Sequence, residues 1–307
     1  MGSPMLGTMG SPVSDFLQQV VSGLASGGIY ASLALALVLI HRATGVINFA
    51  QGEMATFSTY LLWTLTTNHG WPYWPAVGFT LAVSFVGGFG VYEMVIRPVE
   101  KGSVLRVVIV TIGLLLLFNG LTTWIWGGSQ QSLHSPFPTR TIDVGGVAIS
   151  VLDLGTIGVS IGVVIVLWLF FQFTKVGLAM RAAATNPAES RLVGVRVSSM
   201  LGLGWGLAAV LGAIAGALAA PSLASLDPNL MQATLIYAFA AAVLGGIDSP
   251  AGAVVGGLLL GVGLNLLGVY VGFIGADLRL PAALAVILVV LLVRPGGIFR
   301  RRVVSRV

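Results

Sequence analysis

Residues 45–54 read GVINFAQGEM, and they place a carboxylate and two side-chain amides inside a long apolar region of the chain. Asn48, Gln51 and Glu53 are the three polar side chains of this stretch. Such groups are costly in hydrocarbon unless they are paired or line a cavity that holds water. The way in which the chain accommodates them therefore bears on its architecture, and the stretch is the first candidate for a functional site.

The composition of the whole chain indicates a polytopic membrane protein. Of its 307 residues, 56% are hydrophobic and 8% are charged, whereas a soluble domain carries about 25% charged residues. The mean hydropathy is +0.99. The chain has no cysteine, so disulfides and thiolate chemistry are excluded. The net charge of +5 comes from scattered basic residues, which argues against nucleic acid as a partner.

Apolar runs of about 20 residues, the length that crosses a bilayer, predict an all-α fold with about nine transmembrane helices, in a range of eight to ten. They form a single transmembrane domain over residues 17–300, between a disordered N-terminus at 1–16 and a basic tail at 301–307. The first dozen residues lack the basic region of a signal peptide. The predicted spans are residues 17–40, 46–67, 73–96, 104–126, 151–173, 198–220, 229–246, 252–272 and 278–294.

The basic residues predict the orientation of these spans. With nine spans, 13 of the 15 Lys and Arg residues fall on one side of the membrane, and Arg140 and Arg279 fall on the other. By the positive-inside rule, the N-terminus is outside and the C-terminus is inside. The loop 127–150 is then extracytoplasmic, and its segment TIDVGGVAIS alternates like a strand or hairpin arm. The loop 174–197 is cytoplasmic.

The spans also suggest an inverted repeat, in which spans 1–4 and 6–9 run in opposite directions around span 5. Such repeats are common in transporters. The segment NFAQGEM (48–54) opens span 2, and NLMQATL (229–235) opens span 7. Both contain Asn-x-x-Gln, a match that coincidence would also explain, so the repeat and the coincidence both stay open.

The sequence lacks the motifs of several catalytic functions. A P-loop needs Gly-Lys-Ser/Thr, but neither Lys101 nor Lys175 is followed by Ser or Thr. The three histidines occupy separate connections, and no pair has the spacing of metal ligands. Glu53 and Glu93 are the only carboxylates well inside predicted spans, so no chain of proton-relay groups is visible. We therefore expect no enzyme activity, no metal and no cofactor in this chain.

A straight helix cannot direct all three polar groups of residues 45–54 to one side. Asn48 and Gln51 share a face because they are three residues apart, while Glu53 lies about 200° around the helix from Gln51. Either the helix breaks near Gly52, or Glu53 pairs with a neighbouring helix while the two amides face elsewhere. The carboxylate could be a structural pin or gate, line a path, or contact a solute.

The predicted depth of Glu53, about 10 Å inward from the cytoplasmic end of span 2, favours a gate or a pin. Single amides in other apolar spans could line a path, although bonding between helices is the safer interpretation. The candidate path or gate residues are Asn48, Gln51, Glu53, Thr56, Tyr60, Asn119, Gln232 and Asn265.

Small residues recur at helical spacing in spans 1 and 6, a pattern that lets helices approach closely. We interpret it as packing. The residues concerned are Gly23, Gly27, Gly28, Gly212 and Gly216.

The loop 174–197 predicts two short helices outside the bilayer. Leu178–Ala184 favours a helix, Asn186 and Pro187 break it and begin another, and the second helix ends before Gly194. An ordered element of this kind is suited to docking onto another protein.

The loop RAAATNPAESRLVGV (181–195) resembles the coupling loop of ABC importer permeases. INFAQGEM (47–54) is similar to the INFAHGE motif of the branched-chain amino acid permeases, with Gln51 where His is common. GLASGGIYASLALAL (23–37), VLGGIDSPAGAVVGGLLLG (243–261) and LVRPGGIF (292–299) also fit. The resemblance covers residues 17–300, with several motifs in the same order, and it identifies the chain as a member of this family.

The resemblance implies a permease subunit of the bacterial inner membrane that forms half of a translocation path. Its partners would be a second related permease, two cytoplasmic ATPases that bind ATP and Mg, and an extracytoplasmic solute-binding protein. The solutes would be branched-chain amino acids, with other amino acids, amides and urea as alternatives. A stand-alone secondary transporter or channel is the alternative from another class. The implied ATPase-coupling residues are Arg181, Ala184, Asn186, Pro187, Glu189, Arg191 and Gly194.

Overall fold

The structure of the chain, a computed structural model, describes residues 12–100, 102–138, 140–145, 147–272, 278–294 and 296–299. Eleven helices and one hairpin make up these ranges, and π-helical turns at Thr64–Asn68 and Tyr92–Ile96 extend α2 and α3. The elements are α1 (Pro12–Thr44), α2 (Gln51–Trp63), α3 (Tyr73–Val91), α4 (Val104–Trp126), β1 (Thr141–Val144), β2 (Val147–Ser150), α5 (Val151–Phe173), α6 (Lys175–Thr185), α7 (Pro187–Leu192), α8 (Val197–Leu223), α9 (Gln232–Gly245), α10 (Pro250–Tyr270) and α11 (Arg279–Val293).

The predicted helical membrane fold agrees with this architecture, and each predicted span overlaps a helix. Within the described ranges, six helices are long and apolar enough to cross a membrane: α1, α3 with its extension, α4, α5, α8 and α10. Helices α9 and α11 are apolar but shorter, and α2 has 13 residues before its π-helical turn. The count of nine spans therefore stays a prediction.

Two predicted boundaries differ from the structure. Helix α1 already begins at Pro12, so the prediction of disorder is wrong for residues 12–16. Pro suits the first turn of a helix, and Asp15 lies in that turn, where the helix dipole favours a carboxylate. The other boundary is the start of α2, at Gln51 instead of residue 46. The predictions for residues 1–11 and for the tail 301–307 lie outside the described residues.

Helices α1 and α8 form the buried centre of the bundle, and small residues allow their close contacts. A Cβ atom on Gly27 would lie 2.9 Å from the Gly257 carbonyl oxygen of α10, and one on Gly23 would lie 2.7 Å from the Val262 Cα. On α8, a Cβ on Gly212 would lie 2.8 Å from the Gln51 Nε2. A Cβ on Gly28 would likewise clash with Ser160 of α5, and a Cβ on Gly216 would clash with Thr59 of α2.

The connections group at two ends of the bundle. At one end, called here the α6 end, the Nε2 of His41 in α1 lies 3.6 Å from the Oδ1 of Asp248, and α6 packs against α8. At the other, the hairpin end, β1 and β2 pair antiparallel, as the alternation of residues 141–150 predicts. The connections at the α6 end are among those that the charge distribution predicts to be cytoplasmic.

Candidate translocation site

Glu53 lies in the first turn of α2 and is almost fully buried, with 2% of its surface exposed. Its carboxylate accepts hydrogen bonds from two other helices. The Nδ2 of Asn119 in α4 donates to Oε2 at 3.2 Å, and the Nε2 of Gln232 at the start of α9 donates to Oε1 at 3.3 Å. A buried carboxylate in an apolar bundle needs such donors. Glu53 therefore joins α2, α4 and α9 at one point.

Asn229 completes this group, which we call the Glu53 cluster: Glu53, Asn119, Asn229 and Gln232. The Oδ1 of Asn229 accepts from the Nε2 of Gln232 at 2.8 Å and from the Nδ2 of Asn119 at 3.2 Å. The carbonyl oxygen of Pro228 is also close to the Asn119 Nδ2, at 3.3 Å. Asn229 and Gln232 are exposed and Asn119 is half-buried, so amide groups separate the buried carboxylate from the surface of the chain.

Asn48 and Gln51 belong to a different environment. Both are fully buried, and the Nε2 of Gln51 donates to the carbonyl oxygen of Ala208 in α8 at 2.8 Å. The Nδ2 of Asn48 donates to the Gln51 Oε1 at 3.3 Å. Of the two arrangements that the helical geometry allows, the structure has the one in which Glu53 pairs with neighbouring helices. Helix α2 does not break at Gly52.

The late start of α2 explains how the three groups separate. The Oδ1 of Asn48 accepts from the backbone N–H of Ala50 at 3.0 Å, so the residues before Gln51 form a turn. Asn119 lies 15 residues beyond Val104, which is about 22 Å along the 23-residue α4. Through its contact with Asn119, Glu53 therefore lies about two-thirds of the way along α4, deeper than the depth of about 10 Å that the sequence predicts.

Three other predicted path residues do not join the Glu53 cluster through a described hydrogen bond. Thr56 donates to the Gly52 carbonyl of its own helix at 3.2 Å. The Tyr60 hydroxyl lies 3.4 Å from the Leu226 carbonyl oxygen. Asn265 donates to the Gln19 carbonyl at 2.7 Å, so its amide ties α10 to α1.

Asn229 is a member of the cluster that was not among the site residues predicted from the sequence. Its position in NLMQATL, three residues before Gln232, was the available signal, because residues at that spacing share a helical face. In the structure Asn229 precedes α9 and links two donors of the cluster. Within the described ranges, no group of three or more His, Asp or Glu side chains is placed to hold a metal ion.

The predicted coupling loop forms two capped helices. The Oδ1 of Asn186 accepts from the backbone N–H of Glu189 at 3.3 Å, and Pro187 is the first residue of α7. Gly194 follows α7 with φ +84°, a left-handed conformation that favours glycine.

The tip of this loop is exposed, and it carries two apolar side chains that the sequence reasoning left out. Leu192 and Val193 are 86% and 79% exposed. Glu189, Arg191 and Gly194 are exposed beside them, whereas Arg181, Ala184 and Asn186 are only partly exposed. Exposed large apolar groups next to charges are typical of a docking surface.

The fold and the Glu53 cluster define a polytopic helical membrane protein with a polar site between three helices. The family described as "Branched-chain amino acid transport system / permease component" matches residues 19–294. The chain therefore belongs to this family, and the resemblance seen in its motifs is confirmed.

Two of the relatives cover nearly the whole chain. It is 30% identical to the high-affinity branched-chain amino acid transport system permease protein BraD of Pseudomonas aeruginosa, over 96% of this chain and 99% of BraD. It is 29% identical to LivH of Escherichia coli K12, over 95% and 98%. The probable permease protein LivH of Methanocaldococcus jannaschii is 28% identical, over 78% and 76%. A permease role in transport is thus supported.

Proposed function

We propose that the chain is the transmembrane permease subunit of an ABC importer and forms half of a translocation path for amino acids, branched-chain amino acids first. The observation that carries this proposal is the Glu53 cluster, a buried carboxylate behind three amides in a chain of this family. The names of the relatives support branched-chain amino acids as the solutes.

The Glu53 cluster suits the polar part of an amino acid. An ammonium group has three N–H donors, and the carboxylate accepts from the amides of Asn119 and Gln232, which an ammonium could replace. Helix α9 begins at Gln232, and the partial positive charge of a helix N-terminus favours a solute carboxylate. Glu53 would then act as a gate that the solute opens by taking over its hydrogen bonds.

The exposed side of the cluster supports a second permease subunit as the facing wall. Helix α4, which carries Asn119, is exposed over much of its length, with Ile112 at 44% and Leu116 at 66%. Asn229 and Gln232 lie on the exposed side of the cluster. A path that is half-formed by one chain needs a second chain to enclose it.

Coupling to two cytoplasmic ATPases, which would bind ATP and Mg, is proposed for residues 181–194. Side-chain caps on α6 and α7 hold this loop in one conformation. The Oγ1 of Thr174 accepts from the Gly177 N–H at 2.9 Å at the start of α6, and the Oδ1 of Asn186 accepts from the Glu189 N–H at the start of α7. The exposed tip at Leu192 and Val193 is suited to contact an ATPase. An extracytoplasmic solute-binding protein would deliver the solute at the hairpin end, in a bacterial inner membrane.

The proposed topology has nine spans in an inverted repeat, with the N-terminus outside and the C-terminus inside. Pairwise packing supports it. In the repeat, α1 corresponds to α8, α2 to α9 and α3 to α10. The contact of α1 with α10 then matches that of α8 with α3, and the contact of α2 with α8 matches that of α9 with α1. Asn48 is hydrogen-bonded to Gln51 at the start of α2, and Asn229 is hydrogen-bonded to Gln232 at the start of α9.

Reconstitution tests the proposed function. The full chain is placed in liposomes alone, and again with its permease, ATPase and binding-protein partners, and leucine flux is measured with and without ATP. We expect flux only in the complete complex with ATP. Flux through the chain alone, driven by an ion gradient, would instead indicate a secondary transporter or channel. Competition with urea and with an amide then ranks the solutes.

A further inference from the structure

A cavity of about 470 Å³ lies at the α6 end of the bundle and has no part in the Glu53 cluster. Its volume is in the range of small-molecule sites, about 300–1,000 Å³. Its walls come from α1, α5, α6, α8 and α10, with the segment just before α10, whereas the cluster is formed by α2, α4, α9 and the residues before α9. Most of the lining is apolar, and it includes Leu35, Leu39, Val164, Ile165, Leu167, Trp168, Phe171, Met180, Met200, Leu201 and Val254.

The α5 wall of this cavity is suited to face lipid. Asp153 is the only charged residue in α5, and it lies in the first turn, far from the cavity. Ile165 and Trp168, which line the cavity, are 50% and 59% exposed. An apolar helix surface with no charge at this depth belongs in the hydrocarbon of a bilayer. The cavity is therefore placed where a lipid chain can reach it from the membrane.

Basic side chains lie at the same cavity. Arg42 and Arg181 both line it, and the Nε of Arg181 is buried with no hydrogen-bond partner among the described residues. The Nη1 of Arg181 donates to the Gln172 Oε1 at 3.5 Å, a long contact. Asp248 also lines the cavity, but it is 84% exposed and lies 3.6 Å from His41. A guanidinium with unused donors favours a phosphate ligand.

Helix α6 gives this ligand a position in the membrane. Gly177, Met180 and Ala183 are buried against the bundle, while Val176 and Leu178 are 42% and 61% exposed. Helix α6 has Lys175 as its first residue and Arg181 past its middle, with apolar residues between them, and a short amphipathic basic helix lies in the interface plane of a bilayer. Arg181 is therefore at the level of lipid headgroups.

We propose that this cavity binds an anionic phospholipid from the leaflet at the α6 end, with its phosphate on Arg181 and Arg42 and an acyl chain beside Leu39 and Trp168. Basic pockets between transmembrane helices recognise such headgroups. Met180, Arg181 and Ala184 of α6 belong to the lining, so the lipid would brace the first helix of the loop 174–197. The proposal requires only that the chain resides in a membrane, and it does not depend on the transport function.

Native mass spectrometry of the purified full chain tests this site. The chain in detergent is titrated with dioleoyl phosphatidylglycerol and, separately, with dioleoyl phosphatidylcholine. We expect phosphatidylglycerol to be retained about fivefold better, the factor expected for one basic residue near an anionic surface. Inorganic phosphate in excess should displace little of it, because the acyl chain also binds. Equal retention of the two lipids, or full displacement by phosphate, would overturn the proposal.

Three variants locate the binding. Arg181→Gln should lower the retention of phosphatidylglycerol toward that of phosphatidylcholine, with Arg42 keeping part of the preference, and Val254→Trp, which fills the cavity, should reduce both lipids. Arg191→Gln is the matched control, because Arg191 is exposed on α7 and does not line the cavity; it should bind like the unaltered chain. Unchanged lipid retention in both Arg181→Gln and Val254→Trp contradicts the site. If Arg181→Gln does not fold, Val254→Trp and the lipid comparison in the unaltered chain decide.

Discussion

The side-chain amide of Asn119 donates to the Glu53 carboxylate across 3.2 Å, although 66 residues separate the two along the chain. Gln232 donates to the other carboxylate oxygen from 179 residues away. One buried acceptor thus holds three helices, and the donors are amides that can rotate. Such a network is stable only while every member has a partner, so removing one member should affect the others.

The first prediction distinguishes a hydrogen-bonded Glu53 from a required charge. Glu53→Gln keeps an oxygen acceptor for Asn119, and rotation of the Gln232 amide can satisfy the new NH2 group. Glu53→Ala removes both acceptors, and each hydrogen bond to a charged group is worth about 1.5–3 kcal/mol. We expect leucine uptake by the complete importer to fall less in Glu53→Gln than in Glu53→Ala. Complete loss in both, with normal amounts of assembled complex, would mean that the charge itself is needed.

The second prediction compares two glutamines at matching positions. Gln51 is fully buried and bonded to α8, whereas Gln232 is exposed at the Glu53 cluster. Gln51→Leu should lower the thermal stability of the purified chain by about 1 kcal/mol, the usual contribution of one hydrogen bond. Gln232→Leu should cost less stability than Gln51→Leu, because Gln232 is exposed and water can take over part of its hydrogen bonding, and it should lower the rate of uptake. The prediction fails if Gln232→Leu destabilises the chain more than Gln51→Leu does.

Much of this fold could be predicted because its causes are local. Apolar length located the helices, alternation located the strands of residues 141–150, and the Asn186–Pro187 pair located the start of α7. The angular separation of Gln51 and Glu53 follows from helix geometry alone. Each of these properties depends on neighbours within a few residues, which one sequence contains in full.

The partners of Glu53 could not be predicted for the opposite reason. Asn119 and Gln232 were candidates as single polar groups, but which helix meets α2 depends on packing across the whole chain. The start of α2 also escaped prediction, because the Asn48 side chain competes for a backbone N–H and delays the helix. The apolar cavity beside Arg181 needs five helices to form, and no local pattern indicates it.

The third prediction concerns the close contact of α1 and α10. A Cβ on Gly27 would lie 2.9 Å from backbone atoms of Gly257 and Leu258, whereas one on Gly87 of α3 has no atom within 4 Å. Backbone atoms cannot move aside without straining α10, so Gly27→Ala should destabilise the chain by about 1–3 kcal/mol. Gly87→Ala should stabilise it by up to about 1 kcal/mol, because alanine favours a helix. Thermal unfolding of the purified full chain, followed by tryptophan fluorescence, gives both values, and equal shifts would contradict the contact.

The last prediction tests the proposed coupling loop. Glu189 is exposed in the first turn of α7, and Glu189→Lys reverses its charge and opposes the helix dipole. Gly194→Asp puts a side chain at φ +84°, where an L residue costs about 1–2 kcal/mol. Both positions are exposed, so the purified variants should still fold, with the unfolding temperature lowered by no more than a few degrees. Both should lose copurifying ATPase subunits and ATP-driven uptake.

A charge reversal at the opposite end provides the control for this loop. Arg140 is exposed at the hairpin end, and Arg140→Glu changes the net charge by the same amount as Glu189→Lys, with opposite sign. It should retain the ATPase subunits, because the proposed docking surface is at the α6 end. Normal ATPase copurification and uptake in both Glu189→Lys and Gly194→Asp would rule out residues 181–194 as the coupling element, and the ATPase would then have to bind another surface of the α6 end.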